Sequence, residues 1–377
     1  MTPLRVLSLT SYPSLAAATR YRVQQFQPAL REHGVELTLS SFLDDDAFGR
    51  LYEAIPLSRK AADVAAATMR RIRQLPSMRR YDVLFIQREA MLVGPPLIEW
   101  FAHRSGLPIV LDLDDPTYLK YRSPNVRPLV ARLKCHHKGD TLIGLASHVI
   151  AGSTAVAEYV LAHDRPATLL PTIVDLEQFR PMTADRAVPV LGWVGTPSTF
   201  PFLEAIFPTL QRLAETQRFT LRVVGSGKDR IVLPGVDVEA VPWSLHRELD
   251  DFRSIDVGLY PLPTSGALRE WTLGKSGLKA IQYLACGVPF VMTPVGAGAE
   301  IGEPGHTHFA ATTDSSWHHA LELLLKDPAL RSNMGERGRG WATQHLSLSA
   351  QAATLAGVLR SVAAAQPRTE RNLERTA

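Results

Sequence analysis

The chain has 377 residues, 45% of them hydrophobic and 21% charged, with a formal net charge of +4. One hydrophobic core rarely fills more than about 250–300 residues, so two domains are expected and wholesale disorder is excluded. The small charge, with no basic stripe interleaved with aromatics, gives no case for a nucleic-acid partner, and two distant cysteines, Cys135 and Cys286, exclude a disulfide framework.

The first residues, MTPLRVLSLTSYP, carry an apolar stretch too short for a signal sequence, and no apolar run approaches the ~20 residues of a membrane span. A cytoplasmic protein not integral to a membrane is therefore expected, and its cysteine content fits a reducing compartment. Strands are predicted at RVLSLT (Arg5–Thr10), ELTLSSF from Glu36, DVLFIQR from Asp82, PIVLDLD from Pro108, SHVIAGS from Ser147 and ATLLPT from Ala167. They are apolar on both faces, as buried parallel strands are, and helical stretches such as 21–33 separate them. Residues 175–188 read as a linker, after which the pattern restarts with VPVLGWVG, a helix to about Thr216, FTLRVVGSG, VEAVPW, VGLYPL and PFVMTP. Helices 314–326, 328–345 and 347–364 close the chain. The fold class is thus α/β, two doubly wound Rossmann-like sheets, with ligands expected at the strand carboxyl ends and in a cleft between the sheets.

The segment Gly274-Lys275-Ser276-Gly277-Leu278-Lys279 leads into a helix that ends before Gly287-Val288-Pro289. Exposed N–H groups at a helix start make an anion site, and glycines there let a phosphate approach. Lys275 and Lys279, four apart, would share one face of the first turns. They oppose the helix dipole, and a bound diphosphate would offset that cost. The plainer reading is two solvated lysines on an amphipathic helix. Gly274-Lys275-Ser276 also looks like the end of a phosphate-binding P-loop, but Arg269 stands where its first glycine is required.

Four segments in order, LGWVGTPSTFPFLEAI (191–206), LRVVGSG (221–227), VGLYPLP (257–263) and KAIQYLACGVP (279–289), resemble the nucleotide-sugar domain of retaining GT-B glycosyltransferases of family four. The resemblance implies an acceptor-side Rossmann-like domain over 1–180, a donor-binding one over 188–345 and a helix, 346–364, crossing back to the N-terminal domain. Residues 365–377 read as a disordered tail. It implies sugar transfer from a nucleoside diphosphate sugar with retention, and no cofactor or metal. The acceptor would be a sugar, a lipid-linked molecule or a small molecule. Donor contacts are expected from Gly195, Thr196, Ser198, Trp243, Gly274, Ser276, Gly277 and Gln282, with Lys275 and Lys279 holding the leaving-group charge, helped by Arg269. The family's two usual glutamates are replaced by Gly274 and Gln282. An amide can still pair with ribose hydroxyls, whereas Gly274 leaves sugar contact to Glu270 or Lys275. Glu300, after a glycine-rich turn, is either near the diphosphate or a helix-start carboxylate.

In the N-terminal half, Asp112-Leu113-Asp114-Asp115-Pro116 follows a strand, and Asp114 and Asp115 occupy the loop where relatives often have a histidine. These two are candidate catalytic residues, and turn-capping aspartates are the plainer alternative. Arg20, Arg22 and Arg88 are candidates for an acceptor or phosphate contact. His136-His137 lacks partners at metal-ligand spacing. The alanine-rich helix from Ser58 to Leu75 ends in Arg70, Arg71 and Arg73, which either complement its dipole or meet anionic lipid in a peripheral contact. Two further functions stay open: a catalytically silent nucleotide-sugar-binding protein, and a Mg-dependent sugar-phosphate hydrolase using Asp112–Asp115.

Overall fold

The computed structural model describes residues 2–53, 55–119, 138–182 and 186–365. Cys135, His136-His137 and the tail after residue 365 lie outside them. The described chain forms two compact units. The first takes the residues up to 172 together with the C-terminal helix, and the second takes 173–347.

In the first unit the order is β1 (Leu4–Thr10), α1 (Ala17–Arg22), α2 (Gln27–Glu32), β2 (Val35–Ser41), α3 (Asp45–Tyr52), α4 (Leu57–Arg73), α5 (Leu75–Met78) and β3 (Val83–Gln87). It continues with α6 (Leu97–Arg104), β4 (Ile109–Leu113), α7 (Lys138–Leu145), β5 (His148–Ala151), α8 (Thr154–Leu161) and β6 (Ala167–Leu169). All six strands pair in parallel in the order β2-β1-β3-β4-β5-β6. Alternate strand residues, Leu7, Leu9, Leu84, Ile86, Ile109 and Leu111, face one core with Ala67 of α4, Met78 of α5, and Ile98 and Ala102 of α6. The opposite face lies under α2. The helix expected over 21–33 is split because Pro28 falls in the first turn of α2, where its missing N–H is tolerated.

The second unit runs β7 (Val190–Val194), α9 (Phe200–Glu204), α10 (Phe207–Ala214), β8 (Thr220–Val224), β9 (Asp237–Val241), α11 (Glu248–Arg253), β10 (Val257–Tyr260), α12 (Arg269–Leu273) and α13 (Leu278–Ala285). β11 (Phe290–Met292), β12 (Phe309–Ala310), α14 (Asp314–Lys326) and α15 (Pro328–His345) complete it, and α16 (Leu348–Ala365) returns to the first unit, where it packs on α2. Its sheet, again parallel, has the order β12-β11-β10-β7-β8-β9. The unit's first strand therefore lies beside its fourth. That neighbourhood is a topological switch point, and ligands of doubly wound sheets bind outside the carboxyl ends there.

The stretch expected to link the domains forms a turn over Leu176–Gln178, with the Gln178 and Phe179 N–H groups donating to the Asp175 carbonyl, and is tied to the second unit. Arg339 donates to the carbonyls of Leu176 (2.9 Å) and Phe179 (2.6 Å), and Arg253 to those of Gln178 (2.8 Å) and Arg180 (3.0 Å). By length and composition alone, Pro328–Ala365 is apolar enough to cross a membrane, which the sequence reading did not anticipate. The segment is two helices, and the apolar residues of α16, Ala352, Leu355, Ala356 and Leu359, are buried.

Candidate functional site

Three loops at the carboxyl ends of β7, β8 and β9 lie against one another. Gly195 donates its N–H to the Val224 carbonyl (3.0 Å), and Gly225 donates to Val241 (2.9 Å). Gly225 has φ +81°, and a Cβ there would stand 2.4 Å from the Gly195 carbonyl oxygen and 3.3 Å from Cβ of Trp243. Only glycine allows that backbone approach. The hydroxyls after β7 hold their own loop: Thr196 Oγ1 is 2.9 Å from Ser198 Oγ, and Thr199 Oγ1 accepts from the Thr196 N–H at 3.1 Å.

The second half of the site comes from the chain after β10. α12 ends at Gly274, and α13 starts only at Leu278, with Gly277 as its N-cap at φ +68°. A Cβ at Gly277 would stand 2.4 Å from Ile301 Cδ1. The expectation that Lys275 and Lys279 share a helical face is therefore corrected: Lys275 precedes the helix. Its ammonium stands over the Trp271 ring, 4.0 Å from the centroid, while that of Lys279 lies 5.1 Å from the Phe252 centroid. Such contacts stabilise a cation by about 0.5–1 kcal/mol when exposed and more when desolvated. Lys279 also donates to Oε1 of Gln282 at 2.8 Å, and Gln282 is fully buried. Trp271 meets Phe202 of α9, centroids 6.2 Å apart, which joins this half of the site to the chain that follows the β7 loop. Trp271 and Phe252, the platforms beneath both lysines, were not singled out from sequence. The i−4 spacing of Trp271 to Lys275 was the readable signal; Phe252 lies too far along the chain to give one.

Ser276 and Gly277 sit beside the glycine-rich turn 296–300. A Cβ on Gly296 would come within 2.3 Å of the Leu273 carbonyl oxygen. Glu300 is exposed and closes that short 3-10 turn rather than opening a helix, which corrects the capping alternative. Below α13, Tyr283 donates its buried hydroxyl to the Gly192 carbonyl at 3.0 Å and fixes the helix to the centre of the sheet. A shallow concavity lined by Val188, Gln217, Thr220 and Asp237 lies at the amino ends of β8 and β9, the wrong end of a parallel sheet for a ligand.

The first unit places its candidates differently. Arg22 is 1% exposed; its Nε is 3.1 Å from both Asp112 oxygens, and Nη1 donates to the Leu170 carbonyl at 2.6 Å. Arg22 is thus a buried structural cation and is withdrawn as a phosphate contact. Asp112, fully buried against it, is likewise withdrawn as the nucleophile of a hydrolase. Arg20 donates to the carbonyls of Ser14 (3.2 Å) and Leu15 (2.6 Å), bracing the β1–α1 loop. Arg88, at φ +65°, is held by Asp114 through Nε and Nη2, both at 2.6 Å, and by Asp115 at 3.1 Å. Burial pushes the Asp114 carboxyl up, but the Arg88 charge and its hydrogen bonds outweigh that and hold it below the usual carboxylate range. Asp115 is the more exposed of the pair. Arg71 is also buried, donating to Ser40, Gln74 and Ala90, and burial pulls its guanidinium down to about 10; it is withdrawn from any lipid contact. Arg70 and Arg73 remain exposed. Among the described residues no group of three or more His, Cys, Asp and Glu could hold a metal ion.

Solved structures share this architecture. Sucrose-phosphate synthase from Thermosynechococcus elongatus matches with TM-score 0.68 at 16% identity, over 97% of this chain and 100% of its own. HepE of Anabaena, in complex with UDP and glucose, matches with TM-score 0.64 at 14% identity, over 95% and 100%. The trehalose 6-phosphate synthase of Burkholderia multivorans gives 0.62 at 14%, over 97% and 100%. No curated protein matches the sequence. The fold is that of the GT-B glycosyltransferases. Residues 189–327, which contain the whole candidate donor site, match the family model described as Glycosyl transferases group 1. That match lies wholly within the second unit and covers 139 of the chain's 377 residues.

Proposed function

We propose that the protein moves a sugar from a nucleoside diphosphate sugar to a hydroxyl of a sugar, lipid-linked or small-molecule acceptor, with retention at the anomeric carbon and without a metal. The observation that carries this reading is the arrangement around Gly277: a left-handed glycine cap opening α13, with Lys275 just before it and Lys279 in its first turn. In the reaction the bond from the anomeric carbon to phosphate oxygen breaks, the acceptor oxygen takes the carbon, and the proton leaves with the nucleoside diphosphate. Negative charge grows on the departing phosphate, and fixed ammonium groups and N–H dipoles stabilise that charge more than they stabilise the ground state. The aromatic platforms restrict both ammonium groups before the donor arrives, which reduces reorganisation. Gln282, buried beside Lys279, is the residue we assign to the ribose, with Gly195 to Ser198, Gly225 and Trp243 enclosing the nucleotide.

HepE is seen with UDP and with UDP-glucose, so uridine diphosphate sugars are the first donors to test. A nucleoside diphosphate should raise the melting temperature. Lys275→Ala and Lys279→Ala should each lower kcat about a hundredfold or more while the fold persists. Activity should survive EDTA, and the product anomer should match the donor by NMR. Tight nucleotide binding with no transfer or donor hydrolysis would instead mark a silent binding protein. Strict dependence on added Mg²⁺, or an inverted product, would overturn that part of the reading.

A further inference from the structure

We infer that Arg88 and Asp115, at the carboxyl ends of β3 and β4 in the first unit, form a binding site for two neighbouring hydroxyls of an uncharged ligand. β3 lies beside β1 where the strand order of this sheet reverses, the place where doubly wound sheets take ligands. Two arginines answer the aspartates of this segment, and they differ. Arg22 has all three nitrogens engaged, by Asp112 and the Leu170 carbonyl, and is 1% exposed. Arg88 gives Nε and Nη2 to Asp114 and shares Nη2 with Asp115, but its Nη1 donates to no described residue, and its side chain is 22% exposed. Beside it Gln87 is fully buried. Its amide nitrogen donates to Oδ1 of Asp114 at 3.1 Å, while its Oε1 has no partner among the described residues. A buried acceptor is costly to leave unmet, so an amide half-used at the same carboxylate marks a place for a further hydroxyl. Arg22 is a finished structural pair; the Arg88 cluster is not.

Charge selects the class of ligand. Arg88 meets two carboxylates, so at neutral pH the cluster carries a negative charge. The other cations near these strand ends are spent elsewhere. Lys138 pairs with Glu89 at 3.1 Å, and Arg20 donates to the carbonyls of Ser14 and Leu15. A phosphate or carboxylate could win Arg88 only against both aspartates, and it would meet Asp115 with like charge. A hydroxyl both donates and accepts. Of two neighbouring hydroxyls, one donates to the Asp115 carboxylate and the other accepts from Nη1 of Arg88. Two parallel bonds to Asp114 hold the guanidinium in place for this contact. If the second unit handles a sugar donor as proposed above, this ligand is the acceptor, and an uncharged, hydroxyl-bearing one; the contact with the hydroxyls stands without that reading.

The test is saturation-transfer NMR on the full chain, without nucleotide, using the methyl α-pyranosides of glucose, galactose and mannose, and glucose-6-phosphate as the charged counterpart. At least one neutral glycoside should bind. Asp115→Ala should weaken that binding about tenfold or more, the loss expected for a hydrogen bond to a charged group. Arg88→Lys keeps the charge but not the planar fork and should weaken it by a similar factor. Melting temperatures control for folding, and the Asp115 side chain is partly exposed, so its variant carries the test even where Arg88→Lys does not fold. Glucose-6-phosphate should be indifferent to both substitutions. Failure of all three glycosides to bind, glycoside binding unchanged in Asp115→Ala, or glucose-6-phosphate binding that either variant weakens would overturn the inference. A thermal shift of the unmodified chain by UDP is measured in parallel; its absence would count against the donor reading alone.

Discussion

Burial decides what individual residues in this protein can do, and His308 shows the consequence for pH. It is 1% exposed, stacked on Phe290 with centroids 4.8 Å apart, and burial pushes its imidazole down to about 4. Its folded value lies below the unfolded value of about 6.5. The stabilisation from keeping it neutral is therefore whole above pH 6.5 and is lost as pH falls towards 4. Between pH 7 and pH 5 the chain should lose about 2 kcal/mol. His308→Phe, which keeps the stack and removes the titration, should flatten that part of a melting-temperature profile. An unchanged slope would assign it to other groups. The arginines make a related point about what a sequence reveals. Arg22 and Arg71 look like any arginine on a helix, and their burial depends on partners distant in sequence, Asp112 for the first and Ser40 and the Ala90 carbonyl for the second. Lys275 and Lys279, by contrast, stand out in the sequence because their glycine setting is local.

Among the elements, those set by continuous apolar runs were readable to within about two residues, as for β1, β3, β4 and β5, because burial on both faces leaves no ambiguity of period. The edge strands β2 and β6 are partly exposed, and β6 stops three residues short of the expected run. Helix interruptions were harder. The helix expected up to Thr216 breaks between Glu204 and Phe207, and Pro208 lies in the first turn of its second piece. α13 starts at Leu278 rather than at Lys275 because Gly277 turns the chain left-handed, a backbone property that glycine permits without announcing. Helix packing was also hidden. α15 crosses the loop after α13 so closely that a Cβ on Gly335 would lie 2.1 Å from the Gly287 carbonyl oxygen, while Gly338 lies under Leu284. In an open helix Gly→Ala would stabilise by about 0.5–1 kcal/mol. Here the obstacle is backbone, so Gly335→Ala should instead destabilise by about 1–3 kcal/mol. A fall in melting temperature of roughly 3–10 °C is expected, with weaker nucleotide binding if α13 carries the proposed donor site. A rise would show that the two segments can part at little cost.

For the molecule as a whole, the decisive feature is that the first unit is discontinuous in sequence. Leu355 and Leu359 of α16 are 1% and 0% exposed and Val362 is 7% exposed, all in the unit that holds residues up to 172. Each such side chain stabilises by about 1.5–3 kcal/mol when fully buried. Deleting residues 348–377 should therefore open the first unit to limited proteolysis while a fragment spanning 186–347 survives, and nucleotide should still protect that fragment. Protection of both units alike would deny α16 this role. The same discontinuity sets an order for assembly during synthesis. The second unit has all its strands once residue 310 has left the ribosome, whereas the first waits, with the apolar side of α2 uncovered, until the final helix emerges. The half of the chain made first is the half finished last, so a stalled or truncated nascent chain would show its sticky surface near the N-terminus, where a chaperone can meet it early.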